Sequence, residues 1–396
     1  MDPRAAWLSW IEIDADAFRH NMGLFRARLA SNTRLLLVVK ANAYGHGLAS
    51  ISALAESAGA DWLGVHALEE GIAARSHGWT RPVLIMGYVA NRNLSRLLTH
   101  RLEPTVFDLE TVESLDRLGS EQGVRVRCHL KLETGTNRQG IPPEDLDVYL
   151  TRFARAEGLT LAGLSTHFAN IEDTTDSSYA RGQLARYVAL AAQVESAGFT
   201  DLLRHTACTA ALLTLPETQF DLVRLGLGAY GLWPSRETRA SLRTASGPGV
   251  ELRPVLTWKT RVSQLKWIEA GAFVGYGCTV RTSHRTRLAV LPIGYADGYD
   301  RGLSSLGHVL VRGRRAPVLG RVCMNITLVD VTDIPDAALE DEVVLLGRQG
   351  DDEVSAERLA QLAQTIPYEI VSRLSPALPR LVVNAPDSPA ELLDRD

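Results

Sequence analysis

Lys40 stands out chemically, because it ends the apolar run Leu35 to Val39 and directly precedes ANAYGHG, a turn-like stretch carrying Tyr44 and His46. Lysine is among the residues least often fully buried, and an amine in an apolar site loses proton affinity. A neutral amine is what condensation with an aldehyde cofactor requires. Lowering a lysine from about 10.4 to about 7–8 costs roughly 3–4 kcal/mol, so such a site exists only where something compensates. Taken alone, the position also suits a lysine snorkelling at a strand end. Three further places could do chemistry: His167 in THFAN, Arg224 in the glycine-rich RLGLGAYG, and Tyr276 in VGYGCT. Singly, His167 reads sooner as a core histidine, Tyr276 as a half-buried strand aromatic and the glycines as plain turn residues, while Arg224 reads equally as a paired strand arginine. Cys128, Cys208, Cys278 and Cys323 are scattered without paired spacing, so buried reduced thiols are expected and no metal site.

Positioning these side chains requires a frame, and the hydrophobic rhythm supplies one. Between about Leu35 and Leu232, the strand-like runs RLLLVVKA, DWLGVHA, PVLIMGY, EPTVFD, RVRCHLKLE, LAGLSTHF and DLVRLGLG alternate with longer stretches. Of these stretches, VYLTRFARAEG and GQLARYVALAAQVESAG carry helical spacing. The rhythm predicts an α/β fold of close to eight strand–helix units, a (β/α)8 TIM barrel over 15–245, with its chemistry at the carboxyl ends of the strands. Beyond the Ser-, Arg- and Gly-rich stretch from Arg236 to Gly249, the runs VLTWKTRVSQLKWI, LAVLPIGYA, GHVLVRG, RAPVLGRV and EVVLLG predict a mostly β domain over 250–390. The boundary is expected within Ser235 to Pro254. Residues 1–14 are expected to form a strand packing with the C-terminal domain, and the polar tail from Ser388 to Asp396 to fray.

The 396 residues, 45% of them hydrophobic, can build two sizeable cores. A net charge of −4 gives no basic surface of the kind that tracks a nucleic-acid backbone, so no nucleic-acid partner is expected. The apolar runs fall short of the roughly 20 residues that span a bilayer as helix. The N-terminal stretch lacks the pattern of an export signal, which leads to an expectation of cytoplasmic residence without membrane association.

VVKANAYGHG, THFAN, RLGLGAYG, VGYGCT, LPIGYADGY, GRVCMN and TIPYE together resemble, in order and over nearly the whole chain, the alanine racemase family of pyridoxal-phosphate enzymes. The resemblance implies that Lys40 carries pyridoxal 5′-phosphate covalently and acts as one catalytic base, with Tyr276 as the second on the opposite face. Two bases follow from the chemistry, since a proton removed on one face must return on the other. The resemblance further implies phosphate contacts from Tyr44, Thr209, Gly226, Leu227 and Tyr368, and places His167 beside the cofactor. Arg224 would face the pyridine nitrogen; an arginine cannot release its proton, so it weakens the ring as an electron sink.

Arg138 and Met324 would meet the substrate carboxylate region, Lys131 would position Arg138 as a carbamate, and Tyr295, Arg301 and Arg321 would flank the entrance. A homodimer with shared sites, a small amino-acid substrate and supply of D-alanine for peptidoglycan complete the expectation. The chain departs from the commoner family pattern at TGTNR, at ACT (Ala207 to Thr209) and at CMN, where the pattern has TGMGR, NS and CMD. These changes alter the polar surroundings of the site and leave serine or broad-specificity racemisation as an alternative. Decarboxylation on a related barrel would pair the pyridine nitrogen with a carboxylate, against Arg224. A pyridoxal-phosphate homeostasis protein would lack the β domain.

Overall fold

Apolar residues too short in run for helices, yet buried on both faces, are the material of parallel strands, and the chain uses them in that way. The computed structural model describes residues 3–244 and 249–385. After β1 (Ser9–Asp14), eight strands make one sheet: β2 (Arg34–Val38), β3 (Trp62–Val65), β4 (Val83–Ile85), β5 (Glu103–Val106), β6 (Val126–Lys131), β7 (Leu159–Ser165), β8 (Leu203–His205) and β9 (Leu222–Leu225). Their spatial order is β8-β7-β6-β5-β4-β3-β2-β9, and every ladder is parallel. The first and last strands of the series therefore pair, as a barrel requires. Across the remaining seam, Asp221 N donates to Arg204 O and Arg224 N to Ala207 O, each at 3.0 Å, which nearly closes the barrel.

Seven of these strands coincide with the apolar runs of the sequence. The eighth, β8, is only Leu-Arg-His, with Arg204 exposed, and no apolar run announces it. It is a strand because β7 supplies a parallel partner. The helices around the sheet carry ordinary end signals: the helix Leu109–Gln122 is capped by Asp108, whose side chain accepts from Thr111 N, and is stopped by Gly123 at φ +65°. Gly119 in that helix lies so close to Gly158 that a Cβ would fall 2.0 Å from its carbonyl oxygen, so helix and barrel meet there only through glycine.

The compact units are interleaved along the chain. The barrel unit comprises 19–41 and 52–252; the other comprises residues up to 18, 42–51 and those from 253 onward. In this second unit, β1 runs antiparallel to β10 (Leu256–Arg261) and parallel to the strand Arg380–Val383, with Ile11 opposite both Trp258 and Arg380. Those strands belong to a seven-stranded sheet, and smaller sheets of three and two strands complete the β structure. Two short helices, Ala356–Ala363 and Pro367–Ser372, interrupt it where the sequence showed little helical spacing. Ser355 starts the first by accepting from Arg358 N, and Pro367 occupies the first position of the second, where a missing N–H is tolerated. The polar tail expected to fray and part of the 235–254 boundary lie outside the described residues. Among the described residues, no helix is long and apolar enough to cross a membrane.

Candidate active site

The carboxyl ends of the barrel strands gather positive charge. Lys40 follows β2, Lys131 ends β6, and Arg224 sits within β9 beside the end of β8. Burial lowers the proton affinity of Lys40, Arg138 lowers it further, and Glu70 opposes both. Lys131 is drawn down to about 8 by burial and then by Arg224 and Arg138. His167, just beyond β7, is held well below the usual histidine range by burial and then by Arg224, Arg138, Lys131 and Lys40. Four cations thus converge electrostatically on one neutral imidazole. Such a surface suits a ligand with several negative charges. The one carboxylate that follows β6 directly, Glu133, is turned to the backbone amides of residues 135–138.

Arg224 is the most firmly held of these groups. Only 8% exposed, it donates to the carbonyl oxygens of His205 at 2.6 Å, Thr166 at 2.7 Å and Thr206 at 3.0 Å. Its Nη1 also donates to Nδ1 of His205 at 2.9 Å, and its Nη2 lies 3.4 Å from Nδ1 of His167. Burial draws it down to about 10, so it stays charged at neutral pH. The contact with His205 fixes a direction for everything behind it. Because a guanidinium only donates, His205 Nδ1 must accept, and its protonated Nε2 then donates to His129 Nδ1 at 2.8 Å. His129 Nε2 in turn donates to the Glu103 carboxylate at 3.3 Å. The chain runs from the carboxyl ends of the strands to the first residue of β5, with a cation at one end and an anion at the other.

After β9 the backbone turns sharply. The hydroxyl of Thr209 accepts from Gly226 N at 3.1 Å and Gly228 N at 3.4 Å, and Leu227 between them is buried. A Cβ on Gly228 would lie 2.5 Å from the ring of Phe25, so the turn requires glycine there. Arg138, seven residues beyond Lys131, lies in the loop after β6, where the Thr136 hydroxyl donates to the His167 carbonyl and the Lys131 ammonium donates to Gln139 at 3.4 Å. Gln183 joins this loop to the one after β7 by donating to the Thr134 hydroxyl at 3.3 Å and to the His167 carbonyl at 3.1 Å.

The residues directly after Lys40 adopt a conformation that the sequence reading did not foresee. Ala41, Asn42, Ala43 and Tyr44 have φ of +53°, +52°, +51° and +54°, a full left-handed turn built without glycine, and Gly45 and Gly47 continue at positive φ. Each such residue costs roughly 1–2 kcal/mol, so the turn persists only because its surroundings hold it. On the barrel side, Ala41 N donates to Glu70 at 2.6 Å. In the second unit, the buried His46 ring donates from Nδ1 to the carbonyls of Tyr44 at 2.9 Å and Ala43 at 3.1 Å, while Asn42 accepts from Leu48 N at 2.7 Å. Arg380, 2% exposed, donates to the Gly45 carbonyl from Nη2 at 2.9 Å and Nε at 3.1 Å. Tyr44 and Tyr368 lie with ring centroids 6.2 Å apart.

The remaining candidates of the second unit form two groups. Tyr276, 73% exposed, stands between Gly275 and Gly277, both at positive φ, and the Arg321 guanidinium packs against Gly277. Tyr295 N donates to the Cys323 carbonyl at 3.0 Å and Ala296 N to that of Met324 at 2.9 Å, and Gly294 has no room for a Cβ against the same two carbonyls. This ties the Tyr295 turn to Met324. Arg301 begins a short turn in which Asp300 accepts from Gly302 N. His205, His129, Glu103, Gln183 and Arg380 escaped the sequence reading, since each acts through partners distant in the chain. A histidine two residues before the ACT segment was the one available hint. Among the described residues, no three His, Cys, Asp or Glu side chains are grouped to hold a metal ion.

Residues 13–234 match the family model "Alanine racemase, N-terminal domain", and residues 255–382 match "Alanine racemase, C-terminal domain". The chain is 43% identical to the alanine racemase of Symbiobacterium thermophilum over 376 residues, which is 94% of this chain and 96% of that one. The crystal structure of alanine racemase from Bacillus anthracis with bound L-Ala-P superposes with a TM-score of 0.90 at 32% identity, covering 98% of this chain and 97% of that one. The histidine racemase of Leuconostoc mesenteroides superposes with a TM-score of 0.84 at 27% identity, covering 96% and 98%.

Proposed function

The chain belongs to the alanine racemase family, and from that premise we propose that it interconverts L-alanine and D-alanine with pyridoxal 5′-phosphate held at Lys40. The observation that carries the reading is a lysine of lowered proton affinity at the end of a barrel strand whose paired neighbour carries a guanidinium that its own partners allow no freedom to turn. These residues fit the group. An amine of lowered proton affinity suits its aldehyde, the excess of cations suits its phosphate and phenolate, and Arg224 suits an unprotonated pyridine nitrogen. Tyr44, Tyr368, Thr209 and the amides of Gly226 and Leu227 would hold the phosphate, with His167 beside the ring.

Bound there, the cofactor would supply the electron sink that makes the substrate α-proton removable. The protein supplies the proton handling. Lys40 Nζ holds the proton on one face and the Tyr276 hydroxyl on the other, so a proton taken from one side is replaced from the opposite side. Arg224 would face the ring nitrogen as a donor that does not yield its proton, which would limit charge delocalisation and favour prompt reprotonation at the α-carbon. Arg138 and the Met324 backbone orient the substrate carboxylate, and Lys131, with its depressed proton affinity, is suited to add dissolved carbon dioxide through its neutral amine, releasing a proton to solvent and leaving a carbamate beside Arg138. Tyr295, Arg301 and Arg321 flank the entrance.

The exposure of Tyr276 supports a homodimer in which this tyrosine serves the partner's site. The reading carries with it cytoplasmic residence and supply of D-alanine for peptidoglycan. The departures at TGTNR, ACT and CMN, together with the similarity to a histidine racemase, motivate testing side chains other than methyl. The deciding experiment incubates the cofactor-loaded protein with L-alanine, L-serine and larger L-amino acids and separates enantiomers by chiral chromatography. D-alanine is expected as the main product; no inversion of any substrate refutes the reading, and faster inversion of serine shifts the specificity.

A further inference from the structure

Arg380 lies 335 residues from Gly45 in the chain, yet its guanidinium spends two donors on the Gly45 carbonyl. Its other donors go to the carbonyls of Leu378 at 2.7 Å and of Pro376 and Ser375 at 3.2 Å each. Those three carbonyls belong to the segment that leaves the helix Pro367–Ser372, which carries Tyr368. Gly45 closes the left-handed turn that carries Tyr44. One buried planar fork therefore ties together two segments, each bearing one tyrosine of the facing pair. A second fastening lies beside it: a Cβ on Gly45 would fall 1.9 Å from the Val371 carbonyl oxygen, so the turn rests directly on the helix backbone. His46 stiffens the turn from within through the carbonyls of Ala43 and Tyr44.

A run of four non-glycine residues at positive φ does not hold its shape unaided, and relaxing it would swing the Tyr44 ring away from Tyr368. An arginine placed only to satisfy stray carbonyls would have no reason to favour these two segments. We propose that Arg380 is a positioning residue for the cofactor's phosphate: through the Gly45 carbonyl it locks the left-handed turn and so sets the Tyr44 and Tyr368 hydroxyls to receive the anion together. This rests on the reading above that the two tyrosines hold the phosphate.

The test uses the full-length protein stripped of cofactor and titrated separately with pyridoxal 5′-phosphate and with pyridoxal, which lacks the phosphate, following the absorbance and circular dichroism of the bound ring. Arg380→Met is expected to weaken binding of the phosphorylated form by roughly ten- to a hundredfold, the effect of losing a charge-assisted clamp, while leaving pyridoxal unaffected. Arg380→Lys, which keeps the charge but not the fork, is expected to lose phosphate-selective binding to a lesser degree, and it serves as the test should the methionine variant not fold. Equal weakening for both ligands would mean a merely structural role and overturn the proposal, as would unchanged binding of both. Tyr368→Phe separates the two levels. If it loses phosphate selectivity while the Arg380 variants keep it, the positioning role alone fails; if it keeps the full selectivity of the wild type, the assignment of the tyrosines fails and the positioning role with it.

Discussion

Removing the imidazole of His205 tests the chain that links Arg224 to Glu103. His205→Leu deletes one hydrogen bond to a charged donor, worth about 1.5–3 kcal/mol, although Arg224 keeps its backbone partners. It also leaves His129 Nδ1, on a ring with no exposed surface, without its donor, at about 1–3 kcal/mol. Together these predict a loss of about 2.5–6 kcal/mol, measured as a shift in the midpoint of urea unfolding. His129→Leu should cost a similar amount, because it orphans His205 Nε2 and one oxygen of Glu103. The double variant has no orphan between the two positions, so it should be more stable than the sum of the single losses by about 1–2 kcal/mol. Nitrogen NMR of the wild type should show both rings neutral and protonated at Nε2. Additive single losses, or a proton on Nδ1 of either ring, would refute the directional chain.

Other perturbations have equally definite outcomes. Tyr276→Phe should suppress α-proton exchange in deuterated water for one alanine enantiomer far more than for the other; equal slowing contradicts the two-base assignment. Burial holds His46 at about 3 in the fold against about 6.5 when unfolded. The unfolded chain therefore binds the extra proton between those values. The stability is fully present above about pH 6.5 and is lost at up to about 1.4 kcal/mol per unit as pH falls toward 3. Denaturation followed from pH 7 to 4 should show a slope of this sign, and His46→Gln should reduce it by up to about 1.4 kcal/mol per unit, the remainder coming from buried His167 and His205. Ala41 is exposed at φ +53°, so Ala41→Gly should relieve about 1–2 kcal/mol of strain against about 0.5–1 kcal/mol of added chain entropy, a small net gain in thermal stability. A loss of stability would mean that the left-handed turn is unstrained.

The sequence by itself determined what depends on near neighbours. Alternation of apolar runs with helical stretches specified parallel strands, because a run such as Leu35–Val38 can be buried on both faces only in a covered sheet. The motif residues around Lys40, Arg224 and Tyr276 specified the family, and with it a catalytic scheme. Tertiary structure decided the remainder, which consists of relations between residues far apart in the chain. Leu203–His205 is a strand only because β7 lies beside it, and local propensity does not contain that partner. His205 reads as an ordinary histidine until His129, 76 residues away, and Arg224 fix its tautomer. Ala-Asn-Ala-Tyr would locally favour right-handed backbone, and the carbonyl partners Arg380 and His46 hold it left-handed. A sequence pattern records which residues favour burial; which carbonyl a buried arginine meets is settled only when the chain closes on itself.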